Sequence, residues 1–176
     1  MKLRAATAAD MEAVTAIYRQ SVETSAASFE IAAPDAGEME RRWRLVIAAH
    51  CPYVVAEVDG TVAGFAYARP FHERAAFAWT VENSVYVAPG YARRGIGRAL
   101  LAELIEQAAT AGFRQMIALI SSDAEPASVP LHTALGFTVA GRLAAVGFKQ
   151  GRWHDIVHMQ RPIGAGETTV PHDVAG

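Results

Sequence analysis

Apolar positions along the chain change period several times, and each change predicts an element. Met11, Val14, Ile17, Tyr18 and Val22 recur at helical spacing behind Thr7-Ala8-Ala9-Asp10, whose threonine and aspartate read as a capping-box start. Lys2 to Ala5, ahead of them, is short enough for an edge strand. After a loop from Thr24 to Ala33, Pro34 and Asp35 open a second helical stretch with Met39, Trp43, Val46 and Ile47 that ends before Pro52. Tyr53 to Val58 and Val62 to Ala68 then read as two strands of a tight hairpin, because Asp59-Gly60 supplies the positive φ such turns need. Phe77 to Val87 reads as a further strand running into a glycine loop, followed by a helix to about Ala111 with Gly112 as its stop. The apolar run Gln115 to Ile120 predicts a strand, and Pro126 to Leu135 a short helix closed by Gly136-Phe137. Strands near Thr138 to Leu143 and His154 to Met159 complete the order, linked through Gly147 to Trp153. The sum, βααβββαβαββ, predicts an α/β (α+β) domain over residues 1–163 with one mixed, mostly antiparallel twisted sheet flanked by helices. Residues 164–176 read as a disordered tail.

Composition narrows the functional classes. A chain of 176 residues that is 52% hydrophobic buries one real core and leaves no room for a second full domain. Sixteen basic residues against eighteen acidic give a net charge of −2, so no overall electrostatic footprint favours nucleic acid or an anionic membrane. The one cysteine, Cys51, excludes an intrachain disulfide, and its place before Pro52 at the start of an apolar strand suits packing, not nucleophilic chemistry. Met1-Lys2-Leu3-Arg4 leads into a polar helix and not a signal-peptide apolar stretch, and no run approaches the ~18 apolar residues of a membrane span. The expected compartment is the cytoplasm.

Against that neutral background, Arg93-Arg94-Gly95-Ile96-Gly97-Arg98 stands out between a strand and a helix start. Gly95 and Gly97 lack a Cβ, which lets a ligand approach the main chain, and unpaired N–H groups at a helix N-terminus attract an anion. Three arginines beside them point to phosphate or pyrophosphate held without a metal. A P-loop would need Gly-Lys-Ser/Thr, and the dinucleotide fingerprint would need Gly or Ala where Leu100 stands. An ordinary glycine turn capping a helix is the other reading of the same residues. The remaining pattern, Arg/Gln-x-x-Gly-x-Gly/Ala, resembles the pyrophosphate loop of acetyl-CoA-dependent GCN5-related N-acetyltransferases, the GNAT superfamily.

Further segments resemble one branch, the phosphinothricin and methionine sulfoximine or sulfone acetyltransferases, over nearly the whole domain. They include Glu23-Thr24-Ser25 with Phe29, the stretch Arg74 to Glu82, Leu131-His132-Thr133-Ala134-Leu135-Gly136-Phe137, and Phe148-Lys149-Gln150-Gly151-Arg152-Trp153-His154-Asp155. The resemblance implies acetyl-CoA as cosubstrate, no metal, a small-molecule amine as acceptor, and a homodimer. It makes Glu82 the base and His132 the second catalytic group, where many superfamily members carry a tyrosine that protonates the departing thiolate. Val85, Tyr86 and Val87 would pair their main chain with the pantetheine, the Val87 N–H serving as oxyanion donor. Arg93, Arg94, Gly95, Ile96, Gly97 and Arg98 would hold the pyrophosphate, and Ser128 would contact pantetheine. Arg74 would receive the acceptor's carboxylate or phosphinate, with Phe29, His72, Phe77 and Thr80 around it. Without the resemblance, Glu82 also reads as an ion-paired strand residue, His132 as a helix-surface residue, and the aromatics as core.

Three departures qualify this picture. Phe71-His72 replaces the Trp-Lys pair of phosphinothricin acetyltransferases, Phe77 replaces a tyrosine, and Glu125 stands where the family places an asparagine that contacts the cofactor, in a loop one residue longer. The same fold acting on a polyamine, an aminoglycoside or a protein N-terminus, and a non-catalytic acyl-CoA-binding module, are the competing readings.

Overall fold

A computed structural model describes residues 1–121 and 126–171; Glu125 and its longer loop lie outside the described residues. Strand β1 (Lys2–Ala5) leads through a single 3₁₀ turn into helix α1 (Met11–Thr24), and helix α2 (Ala36–Ala48) follows. Then come β2 (Tyr53–Val58), β3 (Thr61–Pro70), β4 (Thr80–Val87), α3 (Ile96–Thr110), β5 (Gln115–Ser121), α4 (Ser128–Ala134), β6 (Thr138–Lys149) and β7 (Arg152–Pro162). Short 3₁₀ turns aside, this is the predicted order, laid out as one seven-stranded sheet in the spatial order β1-β2-β3-β4-β5-β7-β6.

Local chemistry sets the element boundaries. The Asp10 carboxylate accepts from the Thr7 N–H and hydroxyl, and Asp35 caps α2 by accepting from the Glu38 N–H. The β2–β3 hairpin turns on Asp59 and Gly60, both at positive φ, which fits its strands' twist. Helix α3 buries Ile96, Leu100, Leu101, Leu104, Ile105 and Ala108, a stripe at intervals of three and four that lies against the middle of the sheet. Gly64 on β3 packs tightly beneath that helix: a Cβ there would lie 2.8 Å from the Tyr86 carbonyl oxygen and 3.1 Å from Leu100. Helices α1 and α2 cover the opposite face, burying Tyr18, Val22, Met39 and Val46.

Two expectations are corrected. Phe77 to Trp79 are not strand: the Phe77 and Ala78 N–H groups bond back to the Arg74 and Ala75 carbonyls, closing a 3₁₀ turn, so β4 starts only at Thr80. Conversely, β6 and β7 run through the predicted connector Gly147 to Trp153 and turn at Gln150-Gly151, after an irregularity in register between Leu143 and Gly147. Beyond Ile163 the chain passes through turns to Thr169, whose hydroxyl accepts from Arg114; residues 172–176 lie outside the described residues.

The sheet carries one parallel junction, and it sets up the site. β4 stays paired to β3 along its full length, ending at Gly64↔Val87. It pairs with β5 only from Thr80↔Gln115 to Asn83↔Ala118, while β5 continues to Ser121 on β7. Past Asn83 the two strands part, and the main chain of Ser84 to Val87 has no β5 partner.

Candidate active site

A cavity of about 1260 Å³ fills that parting and runs from the N-terminus of α3 to the α1–α2 loop. At one end the chain leaves β4, makes a turn over Pro89–Tyr91, and enters α3 at Gly95, whose φ of +79° is a left-handed geometry that favours glycine. The first helical bond is from the Ala99 N–H to the Gly95 carbonyl, so the Ile96, Gly97 and Arg98 N–H groups at the helix start have no helical acceptor. Arg93, Gly95, Ile96, Gly97 and Arg98 line the cavity. Arg94 does not: its guanidinium stacks 5.2 Å from the Tyr91 ring centroid on the exposed side.

Residues of β4 divide between the two faces of the sheet. Glu82, Ser84 and Tyr86 face the α1–α2 side, where Tyr86 stacks on Phe65 at 5.0 Å and packs edge-on against Tyr18 at 5.1 Å. Asn83, Val85 and Val87 alternate with them, and all six line the cavity. Glu82 sits directly opposite Arg69 in the β3–β4 register, with Arg69 Nη2 donating to its Oε1 at 2.8 Å. Phe77 is exposed and packs on His72 and Phe71, away from the cavity that Glu82 lines.

His132 lies on α4, 4% exposed, between two acceptors: the Ser128 carbonyl 2.8 Å from Nδ1 and Asn83 Oδ1 3.0 Å from Nε2. Burial lowers its pKa from the usual histidine value, and the bond to Ser128 partly offsets this. Ser128 and His132 both line the cavity, so the short helix brings the second catalytic candidate to the same space as Glu82.

At the far end, the α1–α2 loop is tied to the β6–β7 hairpin. Buried Lys149 donates to the Ser28 carbonyl at 2.6 Å, with its pKa lowered by desolvation. Phe29 packs edge-on to His154 and directly over Gly147, where a Cβ would fall 2.1 Å from the ring. Phe29 thus lines the cavity because Gly147 leaves it room. Tyr53, another lining residue, has a buried hydroxyl with no partner among the described residues.

Four expected substrate residues are placed elsewhere. Arg74, His72 and Phe77 are exposed on the turn before β4, with the Arg74 N–H donating to His72 Nδ1, and none of them lines the cavity. Thr80 lies at the β4 start, its carbonyl accepting from Phe71, also outside the lining. Sequence reasoning missed Arg69 and Asn83. Arg69 could be found by carrying the hairpin register forward to Glu82; Asn83 has no local signal, because its partner lies 49 residues away. Among the described residues no group of three His, Cys, Asp or Glu is placed to hold a metal.

The arrangement joins an anion-binding helix end, an unpaired strand edge able to accept a linear amide-bearing ligand, a carboxylate and an imidazole. These parts fit acetyl-CoA. Comparison with known proteins gives the same reading. Residues 14–137 match the model of the acetyltransferase (GNAT) family. A phosphinothricin N-acetyltransferase of Alcaligenes faecalis is 48% identical over 162 residues, 92% of this chain and 82% of the relative. An L-methionine sulfoximine/L-methionine sulfone acetyltransferase of Salmonella typhimurium is 38% identical over 160 residues, 91% of this chain and 93% of the relative. The crystal structure of a GNAT superfamily phosphinothricin acetyltransferase from Sinorhizobium meliloti in complex with AcCoA superposes with a TM-score of 0.95 at 45% identity, covering 98% of this chain and 94% of that one. The family match, the seven-stranded sheet and its parted strands agree, and the chain belongs to the acetyltransferase (GNAT) family.

Proposed function

We propose that the protein transfers the acetyl group of acetyl-CoA to the amine of a small amino-acid analogue of the phosphinothricin, methionine sulfoximine or methionine sulfone type. One observation carries this: a single cavity runs from the free N–H groups of α3 to Glu82, so a donor held at one end and an amine at the other meet in one space. The named relatives support the acceptor class.

Acetyl-CoA supplies the activated acyl thioester. The α3 N-terminus, with Arg93 and Arg98 nearby, neutralises the diphosphate, and the main chain of Ser84 to Val87 offers the N–H and C=O groups that β5 leaves unpaired. The Val87 N–H is the candidate oxyanion donor. Glu82 takes a proton from the acceptor ammonium, which becomes the free amine nucleophile as the carboxylate becomes a carboxylic acid. His132, held by Asn83 and Ser128, is the group available to return a proton to the departing thiolate. Direct transfer within a ternary complex follows, because both reactants share the cavity and Cys51 is buried and its thiol pushed up to about 12 by desolvation.

A homodimer and a cytoplasmic location complete the proposal. Strand β6 forms the sheet edge and, with β7, exposes Val139, Leu143, Val146, Phe148 and Trp153, an apolar stretch suited to a second copy. An acetyl-CoA-dependent reaction and a reduced, buried Cys51 suit the cytoplasm.

The test is thiol release from acetyl-CoA with phosphinothricin, methionine sulfoximine, methionine sulfone, common amino acids and polyamines. The highest kcat/KM is expected among the first three. A polyamine ranking first would replace the acceptor class, and tight acetyl-CoA binding with no thiol release would make the protein a binding module.

A further inference from the structure

We infer that Arg69 is the receptor for the acceptor's carboxylate, and that Arg69 and Glu82 together read the α-amino-acid head group. This rests on the acetyl-transfer reading above and adds a specificity-determining residue to it.

The two side chains leave neighbouring strands at directly paired positions, and both line the cavity. Their charges are opposite and in hydrogen-bond contact at 2.8 Å. An α-amino acid presents the mirror of this arrangement, since one carbon bears both carboxylate and ammonium. With the carboxylate on Arg69, the amine necessarily lies beside Glu82, the group that must take its proton. A guanidinium carries five N–H donors, and among the described residues Arg69 uses one of them on Glu82. The rest are free to grip a carboxylate in bidentate fashion.

Other cations near the cavity are committed or misplaced. Arg42 donates to Glu30 at 2.5 Å and to Glu38 at 2.7 Å. Lys149 is buried against the Ser28 carbonyl. Arg93 and Arg98 belong to the α3 end, and Arg74 lies outside the lining. The Arg69 side chain is 55% exposed, so solvent weakens its pairing with Glu82 and lets it rearrange around an incoming zwitterion. An amine without a carboxylate gains nothing from Arg69 and must compete with it for Glu82.

The test compares wild type, Arg69→Gln and Arg69→Lys on methionine sulfone and on its decarboxylated counterpart, 3-(methylsulfonyl)propan-1-amine, at saturating acetyl-CoA. Arg69→Gln is expected to raise the methionine sulfone KM about 10–100-fold, the scale of a lost charge-assisted contact, with kcat nearly retained. Arg69→Lys is expected to recover part of that loss. For the amine, kcat/KM should stay level or rise, and where it gives no turnover with either protein the methionine sulfone KM decides. Acetyl-CoA affinity unchanged in Arg69→Gln shows that the protein is folded. An unchanged methionine sulfone KM, or equal losses on both acceptors, overturns the role of Arg69 alone. Wild type active on polyamines but on no amino acid overturns the acceptor reading, and this inference with it.

Discussion

His132 and Asn83 are joined across α4 and β4 by a 3.0 Å contact in which an amide oxygen faces an imidazole nitrogen. Asn83 Nδ2 donates to the Ile117 carbonyl, which fixes Oδ1 toward His132, and the other ring nitrogen faces the Ser128 carbonyl. Both neighbours accept. A neutral imidazole has one N–H and leaves one acceptor facing a lone pair, whereas an imidazolium satisfies both. Burial opposes that charge and lowers the pKa, so the site balances desolvation against two oriented acceptors.

Removing one acceptor should tip that balance. Asn83→Leu is expected to lower the His132 titration midpoint below that of wild type, measured from the ring-proton chemical shift by NMR. An unchanged or higher midpoint would show that Asn83 does not support the charged form. The wild-type shift also fixes a sign: the unfolded chain binds a proton at His132 near the ordinary value of 6.5 and the folded chain does so less readily. His132 therefore makes stability fall as pH drops below that value.

In the proposed mechanism Glu82 takes the acceptor proton. Glu82→Gln keeps the shape and removes the base, so kcat should fall ~10²–10⁴-fold. Acetyl-CoA affinity, read by calorimetry, should stay within experimental scatter. A variant with near wild-type kcat would move the role of base elsewhere.

Gly147 and Phe29 give a test of the proposed acceptor end of the cavity that leaves the α3 end alone. A methyl group at Gly147 would sit 2.1 Å from Phe29 Cε1, so the ring must leave its place over the hairpin. Gly147→Ala should raise the acceptor KM several-fold or more without changing acetyl-CoA affinity. Gly64→Ala is the contrasting case: its Cβ meets main chain at 2.8 Å, which costs about 1–3 kcal/mol of stability. Thermal unfolding should separate the two variants.

The amino-terminal edge of the sheet carries a pH-dependent clamp. Arg4 donates to both Asp10 carboxylate oxygens at 2.7 Å and Thr7 adds two further bonds, holding the Asp10 pKa at about 2. A depressed carboxylate contributes its stability above the ordinary value of 3.8 and loses it as pH falls toward 2. Asp10→Asn should therefore cost about 2 kcal/mol at neutral pH, and the gap from wild type should narrow as pH falls below 3.8 and close only below about 2. A cost independent of pH would contradict the ion pair.

The fold was legible because its signals are local: changes of period, the Asp59-Gly60 turn, the Asp35 cap and Gly112 at the end of α3. The two errors in strand length were local too. The run Phe77-Ala78-Trp79 has strand composition, yet the Arg74 carbonyl closes a 3₁₀ turn on it. Glycines at 147 and 151 read as a connector, although long-range pairing with β7 carries β6 through the first of them. The lining of the cavity was legible wherever a motif sat on one element, as with most of the glycine loop, Glu82 and His132. It was not legible where two elements meet. Arg69 looks like a solvated strand arginine until it is set opposite Glu82, and Asn83 acquires a purpose only when α4 packs back over β4. Arg94 shares the glycine motif but stacks on Tyr91, a choice of rotamer that no spacing encodes.

The divergence of β4 from β5 leaves the sheet with an unfinished ladder, four residues of β4 backbone that β5 does not pair and that the proposed acyl donor would complete. Whatever completes that ladder also resists unfolding, so the folded lifetime of this enzyme should track the supply of its acyl donor. A cell rich in that metabolite would keep more of the catalyst, without any dedicated sensor.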